Sequence, residues 1–369
     1  MRILRWLFWA RLVLVLVLGL AALGLSRLPW VQDRVFLAVA KHSLGRSYEH
    51  YFDGQRLSVI VCGSSSPLPD PNREQACLLV MAGDRYYLVD AGPGSPRNLG
   101  LWNIPREKLA GVFITHLHSD HMGGLAEMRL QSWASGRKGA LPVYGPPGIE
   151  RVVGGFNEAY AIDTDYRVRH HGPGFLHPDD ARMEARPVVL PEPASPAKDR
   201  QTVVLEQDGL KVTAIEIDHK VVAPAYAYRF DYRGRSLVIS GDTAYHPPLA
   251  VASRGADVLL HEANATHMEA LIHQAVAATP RANQRFAQLH REINDYHTSP
   301  VEAARIANQA EVPLLVLYHL MPPIHTRLQL PMFLRGVGAI RPRGVEVAED
   351  GLLIELPAGG REIIEDSLP

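Results

Sequence analysis

The sequence predicts an α/β fold in which one large sheet-based domain carries a cluster of chemistry at a single rim, and three observations lead there. Short β-branched or leucine-rich runs end repeatedly in His or Asp: Gly111-Val112-Phe113-Ile114 before Thr115-His116, Ile215-Glu216-Ile217 before Asp218-His219, Ser236-Leu237-Val238-Ile239 before Ser240-Gly241-Asp242, and Leu314 to Tyr318 before His319. Buried strands that deliver polar groups to one edge of a sheet read in this way. These runs are strung from His116 to His319 in a chain of 369 residues. One catalytic domain over residues 50–360, with insertions, therefore explains them better than the two domains that length alone would permit. Between them lie stretches of helical pattern, of which Leu125 to Trp133, directly after Gly123-Gly124, is the plainest.

Taken in order, the first 28 residues stand apart from the domain. Met1-Arg2-Ile3-Leu4-Arg5 is basic and Leu12 to Leu25 is free of charge, the pattern of a signal peptide or membrane anchor forming an apolar helix. Arg2, Arg5 and Arg11 favour the cytoplasmic side. The chain is thus expected to be exported, either periplasmic or anchored in the membrane and facing the periplasm. Ala22-Leu23-Gly24 offers a small-residue cleavage site, which leaves removal and retention of the segment both open.

Leu57 to Gly63 and Gln75 to Met81 read as paired strands around a Ser/Pro/Asp-rich loop, and Arg85 to Val89 as a strand leading into Asp90-Ala91-Gly92. Cys62 and Cys77 fall in the first two of these strands. They suit either a disulfide or two small buried thiols. Two insertions are expected, near 156–200 and 265–296. The first is polar and proline-rich, with His170, His171 and His177, and suits either a lid over the substrate pocket or a packed surface excursion. The second is helical, with Met268, Leu271, Ile272 and Val276 on one face and Phe286, Leu289 and Ile293 on a later one.

Chemistry concentrates in Thr115-His116-Leu117-His118-Ser119-Asp120-His121-Met122-Gly123-Gly124. Imidazoles and carboxylates bind zinc-like ions at about 2.0–2.2 Å, so several must converge on one point. A sharp turn after a buried strand allows that convergence, whereas a regular helix or strand would splay them. The glycine pair permits close backbone approach before the next helix.

This His-x-His-x-Asp-His segment resembles the hallmark of the metallo-β-lactamase superfamily, and later segments narrow the likeness to its ribonuclease Z and arylsulfatase-like branch. Asp218-His219 followed by Ala225 to Phe230, the strand ending in Asp242, Leu260-His261-Glu262-Ala263, His297-Thr298-Ser299-Pro300 and Tyr318-His319 are similar to that branch's motifs in their order, over about residues 55 to 355. The resemblance implies an αββα sandwich, two β-sheets flanked by helices, and two divalent metal ions, with zinc expected from the nitrogen-rich donor set. It also implies that His116, His118 and His219 hold one ion and Asp120, His121 and His319 the other, with Asp242 between them. Asp90 fits a role behind the ligands or that of a plain turn residue. Asp120, His297 and Glu262 are the implied catalytic groups. His297 precedes a helix start in which Ser299 is the cap, Pro300 sits in the first turn and Glu302 completes a capping box, which would fix its ring for proton donation. Glu262 would orient a neighbouring histidine.

The chain also departs from the tRNA-processing pattern, because between His219 and Asp242 there is room for a hairpin but not for a substrate-gripping arm. Net charge is −1, which offers no broadly basic face for nucleic acid. These features predict an exported hydrolase with a binuclear site, phosphodiesterase- or arylsulfatase-like, acting on a small molecule. Nucleic acid is not expected as a partner, the membrane is one only through an uncleaved amino terminus, and a homodimer is compatible with the sequence. The competing readings are a ribonuclease Z-type endonuclease, a lactonase or carboxylic esterase, and a metal-binding protein without turnover.

Overall fold

A computed structural model describes residues 2–45, 49–192, 200–279, 285, 288 and 291–368. It separates into two compact units, Met1–Tyr48 and Glu49–Pro369.

The first unit consists of helices α1 (Arg2–Leu25) and α2 (Pro29–Leu44). Pro29 opens α2, where its fixed φ and missing N–H cost nothing. Among the described residues no helix is long and apolar enough to cross a membrane. The uncharged stretch of α1, Leu12 to Leu25, falls short of the about 20 residues that a span requires. This corrects the expectation of a membrane-spanning anchor in α1.

In the second unit the strands are β1 (Arg56–Gly63), β2 (Cys77–Ala82), β3 (Arg85–Val89), β4 (Leu109–Phe113), β5 (Leu141–Gly145), β6 (Met183–Pro187), β7 (Gln201–Gln207), β8 (Leu210–Ile217), β9 (Ala225–Tyr232), β10 (Arg235–Ile239), β11 (Val258–Asn264), β12 (Leu314–Met321), β13 (Val345–Val347), β14 (Leu352–Pro357) and β15 (Ile364–Ser367). They form an eight-stranded sheet in the order β15-β14-β1-β2-β3-β4-β5-β6 and a seven-stranded sheet in the order β13-β12-β11-β10-β9-β8-β7. Helices α3 (Ser95–Leu101), α4 (Ser119–Met122), α5 (Leu125–Ala134), α6 (Ile149–Ala159) and α7 (Ala161–His171) follow strands of the first sheet. Helices α8 (Leu249–Ala252), α9 (Thr266–Ala277) and α10 (Pro300–Gln309) belong to the second. The αββα sandwich is therefore present.

Side-chain alternation explains the layering. Leu57, Val59 and Val61 of β1, Leu237 and Ile239 of β10, and Leu314, Val316 and Tyr318 of β12 pack in one core between the sheets. The intervening Val238, Leu315 and Leu317 face the opposite way, against Ala303, Ile306 and Ala307 of α10. Period-two alternation with apolar residues on both faces is what a sheet covered on both sides requires. Strands β10, β11 and β12 run parallel, so their carboxyl ends share one edge.

Two findings lie outside the sequence expectations. Within the first of the expected insertions, Met183–Pro187 instead pairs in parallel with β5 as the outermost strand of its sheet. An edge position tolerates its exposed Glu184, Arg186 and Pro187. In α9, Met268 is buried but Leu271 is exposed, so the apolar face is narrower than its pattern suggested. Phe286 and Leu289 lie outside the described residues. Cys62 and Cys77, on β1 and β2, are joined in a disulfide.

Candidate metal centre

The expected ligands sit at or near the carboxyl ends of strands of the sandwich. The loop after β4 carries His116 and His118 and enters α4 with Asp120 and His121, and the close approach this needs is visible at Gly124. Its N–H donates to the Ala91 carbonyl at 2.7 Å, and the Ala91 N–H to the His121 carbonyl at 2.7 Å. A Cβ at Gly124 would meet the Gly92 carbonyl oxygen at 2.6 Å. His219 follows β8 and Asp242 follows β10.

His319 owes its aim to a bulge. Along β11 and β12, Glu262 pairs with Tyr318 and Ala263 with Leu320, which leaves His319 as the extra residue. Its φ of 48° places it in the left-handed region, a strain that persists only where surrounding structure enforces it.

The side chains converge. His116, His118, His219 and Asp242 form one group in which a ligand atom of each lies within 4.8 Å of the others, Asp120, His121 and His319 form a second, and Asp242, His297 and His319 a third. Four atoms held about 2.1 Å from a tetrahedral centre would stand about 3.4 Å apart. In the second group His121 Nε2 lies 3.4 Å from Asp120 Oδ2 and 3.3 Å from Asp242 Oδ2, while His319 Nε2 lies 3.2 and 3.4 Å from the same oxygens. In the first, His116 Nε2 is 2.9 Å from His118 Nδ1 and 3.9 Å from Asp242 Oδ2. His121 Nε2, His219 Nε2 and Asp242 Oδ1 are buried with no hydrogen-bond partner among the described residues. Buried polar atoms of native proteins are rarely left so. Nitrogen and carboxylate donors at these separations, with their inner atoms unpaired, fit divalent metal ions.

The electrostatics agree. Burial, together with His121 and other ring neighbours, holds His116 well below its usual value against the pull of Asp242. Burial likewise takes His219 down to about 4. His121 goes the other way: burial opposes its charge, but Asp242, Asp120 and Asp90 together raise it well above normal. Asp242, despite complete burial, is held well below the usual carboxylate range by His319 and His121. A site that crowds carboxylates and imidazoles in this way calls for positive charge.

Behind the ligands, Asp90 Oδ2 accepts from His121 Nδ1 at 2.8 Å. Its Oδ1 accepts the Thr115 N–H at 2.8 Å and Oδ2 the Thr115 hydroxyl at 2.9 Å. Asp90 itself stands at φ 60°. His219 Nδ1 donates to the Tyr296 carbonyl at 3.1 Å. Both arrangements free the opposite ring nitrogen to face the centre.

His297 lies beside the ligands, its Nδ1 3.2 Å from Glu262 Oε1, the oxygen that also accepts the Thr298 N–H at 2.8 Å. The helix start behind it is as expected: Ser299 caps α10, Pro300 opens it, and Ser299 and Glu302 form a capping box. Burial lowers His297 to about 4. Burial and the charge of Asp242 push Glu262 well up. Sequence reasoning did not single out Thr115, Tyr296 as an acceptor, or Thr298. Only the position of Thr115 and Tyr296 immediately before site histidines signalled them.

Residues 85–320 match a family model described as the β-lactamase superfamily domain. The chain belongs to the β-lactamase superfamily. Among relatives within this superfamily, a ribonuclease Z of Mycobacterium sp. (strain KMS) is 30% identical over 305 residues, covering 82% of this chain and 97% of the relative. Two solved structures share the fold. The metallo-β-lactamase fold protein YhfI of Bacillus subtilis superposes with a TM-score of 0.54 at 20% identity, over 81% of this chain and 99% of that one. The short form of human tRNase Z gives 0.56 at 20% identity, over 81% and 99%. The expectation that a small molecule is the sole substrate and nucleic acid no partner is overturned by the ribonuclease Z relatives. The missing arm, the amino-terminal pattern and the net charge all pointed the other way, but net charge reports neither local fields nor pockets, and a missing arm leaves other surfaces free to grip a substrate. Those relatives also overturn the expectation of an exported, periplasmic or membrane-anchored protein with a signal peptide.

Proposed function

We propose that this β-lactamase superfamily member is a metal-dependent phosphodiesterase that cleaves RNA, as an endonuclease of the ribonuclease Z kind. The observation that carries the reading is the pair of His/Asp groups flanking Asp242, in a chain whose relatives with that name align over most of its length. His116, His118 and His219 would hold one ion, and Asp120, His121 and His319 the other, with Asp242 serving both; the nitrogen-rich set favours zinc. Such a pair of ions supplies an activated water and neutralises charge developing on a phosphoryl group.

The chain's own residues do the rest. Asp120, beside His121 and His319, orients the attacking water. Glu262 and His297 behave as one buried pair that shares a proton, and the His297 ring passes it to the oxygen leaving phosphorus. Water adds to phosphorus, the bond from phosphorus to the leaving oxygen breaks, that oxygen gains the proton, and the pair is reprotonated by the proton that the water gives up. Glu262 is a positioning residue, since it touches His297 and the Thr243 and Thr298 backbone.

Between His219 and Asp242 the chain holds only the β9–β10 hairpin, closed by Tyr232↔Arg235, so substrate grip has to come from other surfaces. Incubating zinc-loaded protein with structured and single-stranded RNA, with an aryl sulfate and a lactone alongside, tests the reading. RNA scission that Asp242→Ala abolishes is expected. Turnover of the aryl sulfate or lactone with RNA left intact would reject it.

A further inference from the structure

Tyr296 takes part in no step above, yet its ring stands 5.3 Å from that of His219 in a T-shaped arrangement and 4.7 Å from that of His297. Its carbonyl is already engaged by His219, and its side chain is only partly buried, so part of the ring reaches solvent beside the centre. The loop that presents it is pinned to β11. The Asn264 N–H donates to the Thr298 carbonyl at 2.8 Å, and Asn264 Nδ2 to Asn294 Oδ1 at 3.1 Å. The same loop forms the wall of a cavity of about 380 Å³, whose lining includes Lys220, Tyr245, Asn294 and His297. A partly exposed aromatic ring on a loop pinned to β11, next to the proposed proton donor and beside a polar cavity, is an arrangement suited to an unstacked base. Single-stranded RNA is gripped on such rings because every base presents a π-face, whatever the sequence.

We propose that Tyr296 is the platform on which the nucleobase adjoining the scissile phosphodiester stacks, a role in substrate positioning that rests on the ribonuclease reading above. The alternative is that the ring merely buttresses His219. The test compares the full-length zinc-loaded protein with Tyr296→Ala and Tyr296→Phe on one short RNA, and on the same RNA made abasic at the nucleotide on either side of the cut, with metal content measured for each protein.

The expected result is a KM about 5- to 150-fold higher for Tyr296→Ala, the range for losing one stacked base, with kcat and metal content little changed and Tyr296→Phe close to the parent. The abasic RNA should cost the parent a similar factor on one side of the cut and cost Tyr296→Ala nothing more. Loss of metal in Tyr296→Ala, a Phe variant as impaired as Ala, or independent multiplication of the two losses overturns the platform and leaves the ribonuclease reading standing. A parent protein that cuts none of these RNAs removes the ribonuclease reading and the platform with it.

Discussion

At the scale of single residues, the site divides its histidines by what their outer nitrogen touches. His121 gives its Nδ1 proton to Asp90 and His219 gives its own to a backbone carbonyl, whereas His297 faces Glu262. Under the proposed function the first two are ligands and the last is the proton carrier. His297→Ala should therefore keep the metal and lower turnover by about 10²–10⁴-fold, and His319→Ala should lose metal first and activity in consequence. Metal analysis beside turnover for the two variants checks the division, and metal shed from His297→Ala would make that residue a ligand. Asp90→Ala should weaken metal affinity by about 10–100-fold, the usual effect of removing a partner behind a ligand, as read by competition with a chelator of known affinity.

At the scale of elements, the carboxyl ends of the strands set the geometry, and the caps and bulges refine it. Ser299→Ala removes an observed capping box and should cost about 1 kcal/mol of stability. Because His297 lies just ahead of the cap, turnover should fall further than thermal stability alone would suggest. Asp350 clamps the β1–β2 loop: it accepts from the Ser64 N–H at 2.9 Å, the Ser64 hydroxyl at 2.7 Å, the Glu74 N–H at 2.7 Å and Asn98 Nδ2 at 2.8 Å. Ser64 in turn accepts the Leu320 N–H at 3.0 Å, next to strained His319. Asp350→Ala should cost at least about 3 kcal/mol through the donors it leaves unpaired, measured by chemical denaturation. The strands that end in ligands were legible because apolar runs followed by His or Asp combine two signals, and the start of α10 because capping chemistry is local. Strand β6 was not, since an edge strand can be written in Glu, Arg and Pro. Nor was the role of Asp350, whose partners lie more than 250 positions away in sequence and leave no local trace.

At the scale of the whole molecule, the centre joins the two sheets. His116, His118, Asp120 and His121 come from the eight-stranded sheet, and His219, Asp242 and His319 from the seven-stranded one. Their crowded carboxylates and imidazoles are a cost to the fold until cations occupy the centre. Stripping the metal with a chelator should therefore lower Tm by several degrees, and returning zinc should restore it in proportion to the logarithm of its concentration above Kd. A Tm indifferent to metal would mean that the cluster is held by the protein alone. If this cluster, loaded with two ions, cuts RNA, the initial rate of RNA cleavage should climb as metal-free protein is titrated with zinc and saturate near two equivalents per chain. RNA left intact by the fully loaded protein, or saturation at one equivalent, would refute the proposed function.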